Sequence, residues 1–412
     1  MTAKIVYSIK YIGVNDLDID LFENQYKVPN GISYNSYLIE DEKITVMDTT
    51  DETKTVEWNE NLTEALNGRE VDYLVISHLE PDHSSGIKSV TEKYPNVTLV
   101  GTSKTFEMLP QFYDINPATK KLVVKEGDTL NIGKHTLQFF MAPMVHWPEV
   151  MITYEQTEKV LFSADAFGTF DCINGTKEMK ENTETLKTTQ TLECTSKKSK
   201  EVNTWTEEAR RYYINIAGKY GMQVQMLLKK LANLEVKVIC PLHGPVLNKN
   251  VETYINKYNI WSNYEPENKG ILIAFATIHG NTGKVAYKMA ELLKACGEKN
   301  VVIMDLSRDD ISRATSNAFR FDKMILAAAS YNMGVFPCME TFLNALKGRN
   351  YQNRKVGMIE NGSWAPSAGK CMKDILLSMK GISIVDPMIT IKSAMKETDI
   401  PKMKELVNSM LN

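Results

Sequence analysis

Four side chains able to bind a metal crowd into His78-Leu79-Glu80-Pro81-Asp82-His83, directly after the run Val71-Asp72-Tyr73-Leu74-Val75-Ile76-Ser77. Two imidazoles and two carboxylates in one short stretch repel one another or stay unpaired unless a cation compensates them. The run before them is short and rich in β-branched residues, so it predicts a covered strand with the hexapeptide as a loop at its carboxyl end. In an extended or turning segment, side chains two apart share a side. His78, Glu80 and Asp82 are therefore expected to converge, while His83 turns to a neighbouring centre. No thiolate accompanies them and carboxylates are plentiful, which suits iron or manganese better than a structural zinc.

Three further segments each deliver one donor just past an apolar run. Leu137-Gln138-Phe139-Phe140-Met141-Ala142 leads to His146, Val160-Leu161-Phe162-Ser163-Ala164 ends in Asp165, and Val236-Lys237-Val238-Ile239-Cys240 runs into His243. A single His at a strand end is ordinarily satisfied by a backbone partner; the repetition is what points to a metal centre. Four of the six histidines are used in this way. His135, on the polar side of a hairpin, lacks such a setting and is expected at the surface.

With His78-x-Glu80-x-Asp82-His83 followed by His146, Asp165 and His243, the chain resembles the flavodiiron proteins over essentially its whole length. That resemblance implies a metallo-β-lactamase-like αββα sandwich first and a flavodoxin-like doubly wound parallel sheet second. It implies that His78, Glu80 and His146 hold one iron, that Asp82, His83 and His243 hold the other, and that Asp165 bridges them. It also implies reduction of dioxygen to water, of nitric oxide to nitrous oxide, or both. The rival reading is a zinc hydrolase of the metallo-β-lactamase fold fused to a flavodoxin-like domain; Glu80 speaks against it, because zinc hydrolases of that fold carry a second His there. A non-catalytic electron carrier is a third reading.

A flavin site is expected beyond a polar boundary at Tyr264-Glu265-Pro266-Glu267-Asn268-Lys269-Gly270, which divides the chain into residues 1–264 and 270–412. Ile271-Leu272-Ile273-Ala274-Phe275 predicts a buried parallel strand and Lys284 to Cys296 a helix. Between them, Ala276-Thr277-Ile278-His279-Gly280-Asn281-Thr282-Gly283 offers hydroxyl and amide side chains, backbone N–H groups and a helix amino end to a phosphate. The spacing fits neither G-x-x-x-x-G-K-[ST] nor G-x-G-x-x-G. Two later strands end in similar loops, Ser330-Tyr331-Asn332-Met333-Gly334 and Asn361-Gly362-Ser363-Trp364. Three loops at the carboxyl ends of parallel strands define one crevice at a topological switch point. This is similar to flavodoxin and implies FMN, with its phosphate on Thr277, His279, Asn281 and Thr282 and with Gly280 also binding the cofactor. Its ring system would lie near Tyr331, Asn332, Gly334 and Trp364, and Ser330, Asn361, Gly362 and Ser363 are expected among the cofactor-binding residues.

The elements that must position these groups follow from pattern. Residues 1 to about 50 read as antiparallel hairpins, with Tyr37-Leu38-Ile39-Glu40 beside Ile44-Thr45-Val46-Met47-Asp48. A helix is expected from Thr53 to Leu66, stopped by Asn67-Gly68, and another from Ser84-Ser85-Gly86 to Lys93. Short strands are expected to dominate from Val97 to Leu161. Between Cys172 and Asn203 the sequence dissolves into Thr, Lys and Glu, which predicts an exposed loop or mobile insertion. Thr206-Glu207-Glu208-Ala209 opens a long helix whose Tyr residues are expected in the core.

Composition bounds the rest. A length of 412 residues with 43% hydrophobic content exceeds what one core usually holds, so two domains are expected. A net charge of -3 leaves no basic stripe for nucleic acid. The six cysteines are scattered without a C-x-x-C pair, which excludes a rubredoxin-like site within this sequence and suits a reducing, cytoplasmic setting. Electrons must then come from a separate protein, rubredoxin-like or a flavin reductase. No apolar run reaches membrane-spanning length and the amino terminus lacks a signal-peptide core. The family resemblance further implies a head-to-tail homodimer or a dimer of dimers.

Overall fold

The computed structural model describes residues 2–6, 8–172 and 205–412. Apart from Cys172, the expected insertion lies outside the described residues. The chain folds into two compact units. One comprises Met1–Tyr213 with Met222–Tyr258, the other Ile214–Gly221 with Asn259–Asn412.

In the first unit, a seven-stranded sheet runs in the order Ala3–Val6, Ile9–Tyr11, Tyr37–Ile39, Thr45–Met47, Tyr73–Val75, Thr98–Gly101, Lys120–Val123. A five-stranded sheet runs Thr129–Asn131, Thr136–Met141, Met151–Glu155, Val160–Phe162, Val238–Cys240. Ile9, Tyr37, Val75 and Val100 of one sheet and Phe139, Met151, Phe162 and Cys240 of the other form a single buried cluster. Two sheets sharing one core, with helices such as Thr55–Leu66 burying Trp58, Leu62 and Leu66, make the αββα sandwich. Asn67 closes that helix in the left-handed region at φ 47°, a conformation that asparagine tolerates.

Strand direction decides where the donors land. Met151–Glu155 is antiparallel to both Thr136–Met141 and Val160–Phe162, and the latter is parallel to Val238–Cys240. The three strands that precede His146, Asp165 and His243 therefore all point the same way, and their carboxyl ends lie along one edge.

The sequence reading needs three corrections in this unit. Asp82 and His83 are not on a loop: the chain turns into a one-turn helix, Pro81–Ser84, with proline in its first turn. Within the stretch expected to be mostly short strands lies a ten-residue helix, Ser103–Phe112, capped by Thr102, whose hydroxyl accepts from the Thr105 N–H at 3.0 Å. Its internal Pro110 hides it in the pattern. His135 is buried, 5% exposed, because its ring bonds Asp41 Oδ2 at 2.6 Å and Ser8 Oγ at 2.7 Å across loops that pack together.

The second unit is a parallel sheet ordered Val301–Asp305, Asn268–Ala276, Phe321–Tyr331, Lys355–Asn361, with Ser383–Ile384 and Ile389–Ile391 both paired to the last of these. In chain order this is second, first, third, fourth, fifth, the flavodoxin-like winding. Helices Asn281–Ala295 and Ile400–Leu411 bury Val285, Met289, Leu293, Met403 and Leu406 against Ile271, Ile273, Ile325 and Ile359. Arg354 is buried, with its guanidinium donating to the carbonyls of Phe319, Phe321 and Tyr264. No helix among the described residues is long and apolar enough to cross a membrane.

Candidate metal centre and candidate cofactor crevice

The seven donors singled out by spacing meet at the edge described above, in two groups. His78, Glu80, His146 and Asp165 form one, and Asp82, His83 and His243 the other. His78 Nε2 and His146 Nε2 both lie 3.1 Å from Glu80 Oε2. His83 Nε2 and His243 Nε2 lie 3.3 and 3.2 Å from Asp82 Oδ2. Asp165 stands between the groups. Its Oδ2 faces His78 at 3.4 Å and His146 at 3.6 Å, while its Oδ1 faces His83 at 3.2 Å and His243 at 3.7 Å.

This grouping corrects the parity argument, which put Asp82 with His78 and Glu80. Alternation holds only while the backbone is extended, and the turn of helix at Pro81 ends it, carrying Asp82 round to His83.

The remaining ring nitrogens are fixed from behind. His78 Nδ1 bonds Glu149 Oε1 at 2.7 Å, and the same oxygen accepts from the Leu79 N–H at 3.0 Å. His243 Nδ1 donates to the Ser33 carbonyl at 2.7 Å. In both cases Nε2 is left to face the centre. Glu149 was not anticipated: it lies three residues beyond His146, with only its charge inside an otherwise apolar segment to signal it. Rings of Phe22, Tyr34 and Tyr212 stand 5.1, 6.0 and 5.6 Å from the His243 ring, and Trp147 stands 5.1 Å from His78. Aromatic rings thus stand beside a histidine of each group.

Electrostatics favour a cation. Burial works against a charged His83, yet the Asp82 and Asp165 carboxylates outweigh it and push the ring up to about 9. Burial likewise opposes ionised Asp165, and the His83, His78 and His146 rings overcome it and hold the carboxyl well below its usual range. Both oxygens of Asp82 and of Asp165, both ring nitrogens of His83 and Nδ1 of His146 are nevertheless buried without a hydrogen bond. Leaving so many polar atoms unmatched costs about 1–3 kcal/mol apiece. One ion in each group would engage one nitrogen of each imidazole, an oxygen of Glu80 or Asp82 and an oxygen of Asp165, donors of the kind that iron and manganese take.

In the second unit a crevice of about 470 Å³ opens at the carboxyl ends of three neighbouring parallel strands. Thr277, His279, Asn281 and Thr282 line it from the first loop, Ser330, Tyr331 and Asn332 from the second, and Asn361, Gly362, Ser363 and Trp364 from the third. Gly280 and Gly334 are not among the lining residues. Gly280 instead makes the turn before the helix at φ 86°, with its N–H on Thr277 Oγ1 at 3.0 Å, and Gly334 pairs back onto Tyr331. Sequence reasoning missed Ser393, which lines the crevice from beyond the strand Ile389–Ile391 and is held to Asn361 by bonds of 2.9 and 3.0 Å. At Gly362 a Cβ would come within 2.9 Å of Pro366 Cα, so the backbone there approaches too closely for a side chain. Trp364 is 91% exposed, and the Tyr331 ring, set edge-on to Phe336 at 5.7 Å, also reaches solvent. Neutral hydroxyls and amides beside a helix start suit a phosphate, and exposed aromatics suit a planar ring.

Comparison with known proteins bears on both sites. A family model described as "ODP family beta lactamase" matches residues 32–244. The chain is 29% identical over 410 residues to an uncharacterised protein of Methanocaldococcus jannaschii, covering 98% of this chain and 97% of that one. It is 28% identical over 369 residues to an anaerobic nitric oxide reductase flavorubredoxin of Vibrio vulnificus, covering 88% of this chain and 70% of the relative. Among solved structures, the rubredoxin oxygen:oxidoreductase of Desulfovibrio gigas superposes with a TM-score of 0.86 at 25% identity, over 100% of this chain and 98% of that one. The flavodiiron protein of Giardia intestinalis superposes with a TM-score of 0.87 at 23% identity, over 100% and 96%.

Proposed function

This chain belongs to the ODP family beta lactamase, whose model covers more than half of its length, and from that premise we propose that it works as a flavodiiron oxidoreductase. It reduces dioxygen to water, nitric oxide to nitrous oxide, or both. One dioxygen takes up four electrons and four protons to give two waters; two molecules of nitric oxide take up two electrons and two protons to give nitrous oxide and one water. The single observation that carries this reading is Asp165, whose two oxygens face two separate groups of His and carboxylate donors.

When bound, iron ions would exchange single electrons with a small oxidant, and FMN would accept electrons in pairs and release them singly. The rest is the work of this chain's residues. His78, Glu80 and His146 would hold one ion and Asp82, His83 and His243 the other, with Asp165 offering one oxygen to each group. Glu149 and the Ser33 carbonyl fix the outward-facing nitrogens of His78 and His243. Phe22, Tyr34 and Tyr212 pack around His243 and Trp147 against His78, which helps to hold those rings in place.

We assign the iron centre to a domain of residues 1–264 and the flavin to a domain of residues 270–412. Thr277, His279, Asn281 and Thr282 receive the FMN phosphate, helped by the turn at Gly280. Ser330, Tyr331, Asn332, Asn361, Gly362, Ser363 and Trp364 receive the ring system, with Gly334 shaping the second loop. Electrons come from a separate donor protein, and the working form is a head-to-tail homodimer or a dimer of dimers in the cytoplasm. The test is anaerobic reduction of the purified protein followed by mixing with each gas while flavin and iron absorption are followed. Reoxidation by at least one gas much faster than that of free FMN is expected; reoxidation no faster than free FMN by either gas would overturn the reading.

A further inference from the structure

The two groups of donors match closely in their immediate composition. Each has two imidazoles, one carboxylate of its own, Glu80 or Asp82, and one oxygen of Asp165. They differ one layer out. His78 is backed by Glu149, a carboxylate only 1% exposed, whose Oε1 receives the ring Nδ1–H and whose Oε2 has no hydrogen-bond partner. His243 is backed by the neutral Ser33 carbonyl, and neither ring nitrogen of His83 has a hydrogen-bond partner. A buried anion on Nδ1 draws the ring proton toward itself, makes Nε2 a stronger donor and adds negative potential that no solvent screens. A carbonyl oxygen does this far more weakly.

We infer that Glu149 is a positioning residue that makes the two metal positions unequal, so that the ion held by His78, Glu80 and His146 gives up its electron before the ion held by Asp82, His83 and His243. The inference rests on the two-iron reading above. Extra negative charge stabilises the ferric form more than the ferrous form, which lowers the reduction potential of that position. When the fully reduced pair meets one equivalent of ferricyanide, one electron passes to ferricyanide, giving ferrocyanide, and one ferrous ion becomes ferric. That ion is the one beside His78. Glu149 thereby sets the order in which the pair is oxidised.

Two measurements test this. In the first, crystals of the two-iron protein, reduced and then oxidised by one equivalent per pair, are examined by anomalous diffraction across the iron edge, with the edge position refined separately for each ion. The later, ferric edge is expected at the His78 position, and a ferric edge at the Asp82 position would overturn the inference. Crystals that hold one ion, or zinc, would instead contradict the two-iron reading, so the two failures are distinguishable. In the second, the two one-electron couples are measured in Glu149→Gln, which keeps an acceptor for His78 but removes the charge, and in Glu149→Asp, which keeps the charge. In the Gln variant the lower couple should move upward and the gap between couples should narrow, while the Asp variant keeps most of the gap. Couples unchanged in a Gln variant that retains two irons would overturn the inference, because a residue that merely shapes the fold would leave them in place.

Discussion

The candidate metal centre and the candidate cofactor crevice solve opposite problems. At the centre, seven charged or ionisable groups drawn from distant segments are brought together and buried, and only cations make the arrangement tolerable. At the crevice the donors are mostly hydroxyls and amides from loops at the ends of three strands, and Trp364 stands in solvent. Losing one partner at the centre should therefore be felt by all the others, whereas changes at the crevice should stay local. The comparison teaches that buried charge couples residues tightly, whereas among neutral crevice donors coupling is confined to bonded neighbours such as Thr282, Asn361 and Ser393.

The largest effect that would break this contrast lies at Asp165. Asp165→Ala should lose iron from both positions and gas reduction with it, well beyond the about 10–100-fold cost of removing an outer hydrogen-bond partner, while FMN remains bound. Iron and flavin per chain after purification check this, and full turnover by the variant would be fatal to the assignment of Asp165. The reciprocal change is Gly362→Val. With Cβ driven to 2.9 Å from Pro366 Cα, FMN affinity should fall more than tenfold while iron content stays at the wild-type level, as flavin titration and metal analysis would show.

A smaller effect is expected at Trp364. Because the side chain is exposed, Trp364→Ala should leave stability within about 0.5 kcal/mol. It should weaken FMN binding by about 1 kcal/mol, the lower end of what stacking a flat ring on an aromatic contributes. An unchanged Kd would remove Trp364 from the site. A last prediction tests whether charge coupling extends beyond the centre. Burial alone would raise the Asp41 carboxyl, but the His135 ring and the backbone N–H groups of His135, Lys134 and Glu42 bring it down to about 2. A lowered folded value stabilises fully above the ordinary aspartate value of about 3.9 and is lost as the pH falls toward the folded value. Asp41→Asn should therefore lose stability at neutral pH and show a flatter acid-unfolding profile between about pH 4 and about pH 2. A profile that keeps the wild-type slope would contradict this.

How much of this could be read in the sequence follows from what each signal depends on. Donors at the ends of apolar runs, such as Asp165 after Val160–Phe162, were readable because a buried strand punctuated by a carboxylate is a local pattern. The helix Thr55–Leu66 and its stop at Asn67 were readable for the same reason. The division of the donors into two groups was not, because it turns on where the backbone stops alternating, at Pro81. Glu149 and Ser393 escaped because their partners, His78 and Asn361, are reached only through the fold. His135 escaped for that reason too: Asp41 is 94 positions away, and nothing near either residue marks the pair.

Elemental analysis of the purified protein, with the ions then located by iron-edge diffraction, tests the central claim most directly. The arrangement of His78, Glu80 and His146 on one side of Asp165 and of Asp82, His83 and His243 on the other predicts two irons per chain, one in each group. A single zinc per chain, or ions placed away from Asp165, would contradict it.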